Sequence, residues 1–326
     1  MKSIARANTN IALIKYWGKR DEKLFLPMNS SLSITLNNFY TITSVEFLEE
    51  LTEDNVMLNH SPVSVDEKIK ISSFMDVIRK HAGVTLYANI STQNHVPTAA
   101  GFASSASGYA ALAAAATKAI GLKLSEEELS GIARRGSGSA SRSIYGGFVE
   151  WEKGNREDGS DSVAHQIIDE KAWRLTILSV VITSEQKRVS SREGMKRTVE
   201  TSPFYGGWLE TVDSDMQVAR KAIMDRDFIA LGEVLEHNAM KMHATMLGAR
   251  PPILYWEGGT LDAMHSIHNL RQDGIPAYFT IDAGPNIKVL CQPKDEEYVV
   301  NTLLRLGNVK SVFPCYPGEG VTYLSE

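Results

Sequence analysis

The stretch Pro97–Leu122, PTAAGFASSASGYAALAAAATKAIGL, can be read in two ways, and the fold turns on which is right. One reading is a membrane helix of small apolar residues. The other is a phosphate-binding loop feeding a helix. A spanning helix needs about 20 predominantly apolar residues. Thr98, Ser104, Ser105, Ser107, Thr117 and Lys118 interrupt this run, and its apolar remainder is mostly alanine. The stretch is therefore expected to be a loop followed by a buried helix of a soluble protein. A helix N-terminus offers unpaired N–H groups and the positive end of the dipole. Small residues around Gly101 let a phosphate approach the backbone, and serine hydroxyls add hydrogen bonds or a magnesium ligand. Taken alone, the same residues equally describe a Ser-capped core helix with Ala and Gly for close packing. The stretch is not a P-loop, and the chain's one Gly-Lys pair, Gly18-Lys19, is followed by Arg20 where that motif requires Ser or Thr.

The rest of the chain narrows the choice. At 326 residues, two domains are expected. With 43% hydrophobic and 22% charged residues, the composition is that of a globular protein with a large core. A net charge of −5 argues against a nucleic-acid partner. It leaves room for a small anionic ligand, because local charge can oppose the global sign. Cys291 and Cys315 are the two cysteines, too few and too far apart for a disulfide framework or a zinc knuckle. MKSIARANTN has no continuous apolar run, so neither a signal peptide nor a membrane association is expected, and the cytoplasm is the expected compartment.

Hydrophobic patterning gives a mixed order of elements. SSLSITL alternates Leu32, Ile34 and Leu36 with polar residues, and YTITSVEF follows Asn37-Asn38 as a second strand. EKIKISSFMDVIRKHAG predicts a helix stopped at Gly83, and TLYANIST a strand leading into the opening loop. Ser125 and Glu128 form a capping box at the start of SEEELSGIARRG. IYGGFVEWEKG and RLTILSVVIT read as strands. Helices are expected near 206–226, 228–246 and 261–273, then strands YFTIDAG and IKVLCQP, the helix EEYVVNTLLRL and a final strand or two. The alternation is not regular βαβ, so the class is α+β, with domains 1–185 and 186–326.

Five further clusters bear on chemistry. In NIALIKYWGKRDE, Lys15 lies inside an apolar strand, with Tyr16 and Lys19 near its end; a solvated charged turn explains Arg20 to Lys23 but not Lys15. GSGSASRSIYGG has Ser141 at the third glycine position of a dinucleotide fingerprint, so that reading fails. It leaves flexible backbone carrying Ser137, Ser139 and Arg142, which suits a carboxylate or phosphate or is simply a surface loop. In YFTIDAGPN, Asp282 ends an apolar strand as either a turn-capping residue or a catalytic carboxylate. QKRVSSREGMKR gathers basic residues around Ser190, Ser191 and Arg192 at a helix start, an anion site or a solvated basic face. Ser184 to Lys187 matches S-x-x-K, without the companion motifs of serine acyltransferases. His237, His243, His265 and His268 fall on helices and show no HExxH pattern. Together these clusters suggest a nucleotide-phosphate site beside a second polyanion site with a carboxylate between them, and hence phosphoryl transfer. They do not name the acceptor.

The combination NIALIKYWGK, LPMNSSLS, PTAAGFASSAS, RRGSGSASRS, VSSREGM and DAGPN resembles the mevalonate diphosphate decarboxylases of the GHMP kinase superfamily, essentially end to end. The resemblance implies an α+β, GHMP-kinase-like two-domain fold, with an N-terminal domain like ribosomal protein S5 domain 2 and a ferredoxin-like C-terminal domain. It implies ATP and Mg2+ as cofactors, a homodimer, and conversion of mevalonate 5-diphosphate to isopentenyl diphosphate. Asp282 would align the C3 hydroxyl and accept its proton, and Lys15 would stabilise the transferred phosphoryl group. Arg142 would pair the substrate carboxylate. Tyr16, Lys19, Ser137, Ser139, Ser191 and Arg192 would hold the diphosphate and position the substrate. Pro97, Ala100, Gly101, Ser104, Ser105 and Ser107 would bind ATP, with Ser105 reaching the metal through the phosphates.

The loop departs from the superfamily pattern at Ala99 and Phe102, and Tyr145 stands where phenylalanine is common. The alternatives are a decarboxylase or 3-kinase acting on mevalonate or its monophosphate, or a non-catalytic anion sensor. Asp282 and Lys15 together argue against the last two.

Overall fold

A computed structural model of the chain describes residues 1–96, 104–185 and 187–325. Its first half runs β1 (Lys2–Ile14), β2 (Lys19–Asp21), β3 (Leu26–Pro27), β4 (Ser31–Leu48), β5 (Asn55–Leu58), β6 (Ser61–Pro62), α1 (Val65–Ala82), β7 (Tyr87–His95), α2 (Ser104–Ala119), α3 (Glu126–Arg134), a 3-10 helix (Gly138–Ile144), β8 (Phe148–Trp151) and β9 (Ala164–Ile168). The second half runs β10 (Thr176–Val181), α4 (Ser191–Thr201), α5 (Tyr205–Asp225), α6 (Phe228–Leu247), α7 (Gly258–Gln272), β11 (Ala277–Ile281), β12 (Ile287–Cys291), α8 (Glu296–Leu304), β13 (Ser311–Cys315) and β14 (Thr322–Leu324). The α+β expectation holds. Both predicted helix signals, the Ser125–Glu128 capping box and the left-handed Gly83 stop, are present.

The first sheet has the order β14-β1-β4-β7-β5-β6, and β8 continues it from the start of β4 and carries β9. The two strands expected on either side of Asn37-Asn38 are one element, β4. The dipeptide still marks a break in the ladder. Pairing with β1 passes from Tyr40 opposite Asn8 to Thr35 opposite Asn10, so residues 36–39 bulge against Thr9. The bulge is held from outside, since Asn37 N donates to Tyr316 O (3.0 Å) and Asn38 Nδ2 to Pro314 O (2.7 Å).

Helix α2 lies against β1 and β4. Ala110, Ala111 and Ala113 to Ala116 are wholly buried there. Alanine favours helix and its short side chain lets a helix approach a sheet closely. The membrane reading fails on this packing as well as on composition, and no helix among the described residues is long and apolar enough to cross a membrane.

The second sheet has the order β11-β12-β10-β13, all antiparallel. One face, with Tyr278, Ile177 and Leu290, packs on the cluster of α5 and α6; the other, with Phe279, Leu178 and Val289, packs on residues of α7 and α8. Burial on both faces explains why these strands read as continuous apolar runs. The division expected at residue 185 falls after β10, which already belongs to the second sheet, and β14 returns to the first. A boundary placed where helices begin misses a strand that opens the second unit and a strand that closes back on the first.

Candidate active site

Between the two sheets lies a cleft of about 1050 Å³. Its walls come from the end of β1, the start of α2 and the 3-10 helix on one side, and from residues 183–192 and 282–288 on the other. Lys15, Lys19, Lys23, Lys70, Arg135, Arg142, Lys187, Arg192 and Lys288 line it, against the carboxylates of Glu185 and Asp282. A chain of net charge −5 thus concentrates nine cations at one cleft. Such a focused field attracts polyanions.

At the cleft floor, Lys15 Nζ donates to Asp282 Oδ1 at 2.6 Å. Lys15 is the first residue beyond β1, and Asp282 the first beyond β11, so the pair joins the two halves. Lys15 also donates to Ala12 O at 2.9 Å. The turn after Asp282 is held by Asn286, whose Oδ1 accepts from Ile182 N (2.8 Å) and Thr183 N (3.1 Å). The Asp282 carboxylate is thereby left for Lys15 and for the cleft. Its side chain is half open to the cleft, while that of Lys15 is buried.

Burial lowers the Lys15 pKa, and contact with Asp282 offsets this only in part. For Asp282, enclosure alone would raise the pKa, but Lys15, Lys288 and Lys187 together hold it below the ordinary carboxylate range. Asp282 is therefore ionised at neutral pH.

Arg142 is buried, with Nη1 on Ser31 Oγ (2.5 Å) and Nη2 on Asn10 Oδ1 (3.3 Å), while its Nε has no hydrogen-bond partner among the described residues. The segment expected to be flexible is a buried 3-10 helix. Its glycines serve close approach, not freedom: a Cβ on Gly138 would stand 2.9 Å from both Trp151 and Tyr16. Ser137 and Ser139 hydroxyls lie 3.3 Å apart on this helix, and Ser137 Oγ reaches Ser105 Oγ at 3.5 Å. Tyr16 packs edge-on against Trp151 at 4.8 Å, and its buried hydroxyl has no hydrogen-bond partner among the described residues.

Lys19 and Arg192 meet at one aromatic ring, 4.5 and 5.5 Å from the centroid of Phe25, and Lys19 also pairs with Glu22 at 2.6 Å. Ser191 Oγ accepts from Lys187 Nζ at 2.7 Å. Lys19, Ser191 and Arg192, like Arg142, Tyr16, Ser137 and Ser139, line the cleft.

The nucleotide assignments need one correction. Ser107 is fully buried and faces the sheet, where its hydroxyl meets Thr41 Oγ1 (2.8 Å) and Thr9 Oγ1 (3.3 Å). It does not line the cleft. Two residues after Ser105, the helical turn carries it to the opposite face. Ser105 is exposed at the cleft. Ser104 opens α2, and Pro97, Ala100 and Gly101 lie outside the described residues.

The sequence patterns give no site role to Lys187 or His243 and do not single out Lys288 or Asn238. Lys288 carried a usable signal, since a lysine inside the apolar run IKVLC has the same anomaly that singled out Lys15. Lys187 was read only as part of a basic cluster. His243 is buried 4.9 Å from the Trp256 ring, and burial first, then Lys15, lowers its pKa to about 4. It is neutral at neutral pH. His268 pairs with Glu236 at 3.3 Å on the surface.

Residues 7–164 match the family described as diphosphomevalonate decarboxylase-like N-terminal domain, and residues 177–317 that described as mevalonate 5-diphosphate decarboxylase C-terminal domain. The chain belongs to the diphosphomevalonate decarboxylases. It is 40% identical over 300 residues to diphosphomevalonate decarboxylase of Homo sapiens, covering 86% of this chain and 74% of that one. Mevalonate diphosphate decarboxylase from Staphylococcus aureus matches its fold with a TM-score of 0.95 and 47% identity, over 99% of this chain and 98% of that one. A structure described as MDDEF in complex with MVAPP, AMPPCP and magnesium matches with a TM-score of 0.93 and 47% identity, over 100% and 99%. The GHMP-kinase-like two-domain fold inferred from the motifs is the fold these decarboxylases share with this chain.

Proposed function

We propose that this cleft carries out the family's reaction on mevalonate 5-diphosphate, with the Lys15–Asp282 pair at its centre. ATP phosphorylates the tertiary C3 hydroxyl, releasing ADP. The C3–O bond then breaks with loss of phosphate, the carboxylate C–C bond supplies the electron pair of the new double bond, and carbon dioxide and isopentenyl diphosphate leave. The observation that carries this reading is an ionised carboxylate bonded at 2.6 Å to a buried lysine in a cation-lined cleft.

Asp282 accepts a hydrogen bond from the C3 hydroxyl and aims its oxygen at phosphorus. Its lowered pKa makes it a weak base, so it takes the proton late, which suits a loose phosphoryl transition state. Lys15 and Lys187 neutralise charge on the transferred group. Arg142, whose Nε has no partner among the described residues, pairs the substrate carboxylate, and Tyr16, Ser137 and Ser139 hold the substrate beside it. Lys19, Ser191 and Arg192 take the diphosphate. Ser105 faces the ATP phosphates, and the resemblance of the loop gives Ser104, Pro97, Ala100 and Gly101 the same nucleotide role. The hydroxyls of Ser105 and Ser137 fit a magnesium ion that keeps most of its ligands from phosphate and water, as Mg2+ prefers. Bound there, it would neutralise phosphate charge. The relative in complex with MVAPP, AMPPCP and magnesium supports this choice of ligands.

We also assign two domains that exchange between Ile168 and Thr176. In the second, the βαββαβ order and the strand order β11-β12-β10-β13 support a ferredoxin-like label, and the first is assigned as ribosomal protein S5 domain 2-like. A homodimer in the cytoplasm belongs to the same reading. Incubation with Mg-ATP and mevalonate 5-diphosphate should release ADP and carbon dioxide in equal amounts, with the monophosphate turned over far more slowly. ADP without carbon dioxide would identify a 3-kinase instead.

A further inference from the structure

Lys15 sits where the sheet ends. The last pair of β1 with β4 is Ile14 opposite Leu32, so the N–H and C=O of Lys15 have no ladder partner. Two asparagines replace the ladder. Asn238 of α6 accepts from Lys15 N at 2.9 Å, and Asn29, in the loop before β4, donates through Nδ2 to Lys15 O at 2.7 Å. Asn238 is fully buried. Its other amide atom, Nδ2, donates to Asp215 Oδ2 at 2.7 Å, and that same oxygen is 2.7 Å from Lys241 Nζ.

The chemistry of this chain fixes its direction. A carboxylate only accepts. Asp215 therefore compels Asn238 to turn its NH2 outward and its oxygen towards Lys15, and Lys241 pairs with Asp215 in a nearly buried place. The link crosses from the second half of the molecule to the first, and Lys15 Nζ returns across the same junction to Asp282.

We propose that Asn238, oriented by the Asp215–Lys241 pair, is a positioning residue that sets the backbone of Lys15 and so aims its ammonium at the site of phosphoryl transfer. This rests on the role given to Lys15 above. Small displacements of a charge-stabilising group cost on the order of 10- to 10²-fold in rate.

The test is a mutant cycle with kinetics. Asn238→Leu should lower kcat by roughly 10- to 10²-fold while leaving KM for ATP and mevalonate 5-diphosphate within about threefold, the pattern for a contact used only in the transition state. Added to Lys15→Met it should cost little more, because both changes remove the same function. Asp215→Leu, which frees the Asn238 amide to rotate, should show the same split in weaker form and guards against an Asn238 variant that does not fold. A folded Asn238→Leu or Asp215→Leu enzyme with wild-type kcat overturns the proposal, as does full additivity with Lys15→Met. Wild-type kcat in Lys15→Met alone would instead overturn the role of Lys15, which separates the two failures.

Discussion

Lys288 is the second residue of β12, opposite Thr280 and Ser179, and is almost wholly buried. Burial, only partly offset by Asp282, brings its pKa from 10.5 down to about 8. At pH 7 the folded protein must therefore hold a charge that the unfolded chain carries at lower cost. Below pH 8 that penalty is fully present; it fades as pH rises from 8 towards 10.5, where the folded state has already released its proton. Lys288→Met should raise stability at pH 7 by about 1–3 kcal/mol, and by less at pH 9.5. Chemical denaturation at the two pH values measures this. A variant no more stable at pH 7 would contradict the argument. The natural residue is explained by the site, since Lys288 is one of three lysines that keep Asp282 ionised, a common exchange of stability for activity.

At the scale of elements, the opening stretch has two duties that its sequence merged. Its first helical turn faces the cleft through Ser105; its alanines face the core. Ser105 and Ser107 look alike in the sequence, and only the rotation of the helix sends one to the cleft and the other to Thr9 and Thr41. The alanine face leaves no room for growth. Ala113→Leu should destabilise the fold by about 1–3 kcal/mol through overpacking against β1 and β4. A thermal midpoint unchanged from wild type would show that α2 is less tightly seated than its burial indicates. The 3-10 helix teaches the same lesson in reverse. A Gly/Ser-rich segment reads as flexible, yet Trp151 and Tyr16 lie so close to Gly138 that no side chain fits there. Small residues signal a turn or a tight contact alike, and the neighbour that decides is distant in sequence.

Across the whole molecule, the parts written locally were legible: the capping box at Ser125, the helices of the second half, Lys15 as a charged residue in an apolar run, though one residue beyond the strand it was placed in, and Asp282 at the end of another. What was not legible depends on contacts between distant segments. The bulge at residues 36–39 is held by residues 314 and 316, and Lys15 is held by residues 29 and 238. Sequence patterning gives a residue its face on a strand or helix but not the partner that meets it. The same holds for the boundary between halves, because β10 and β14 are each defined by the sheet they join.

In the proposed reaction, Asp282 serves the chemical step and not the binding of either substrate. This role is tested most directly by kcat of Asp282→Asn, measured beside the dissociation constants of ATP and mevalonate 5-diphosphate. Both affinities should stay within a few-fold of wild type, with kcat lower by on the order of 10²-fold or more, as for a positioned acid–base group. A kcat close to wild type in that variant would contradict it.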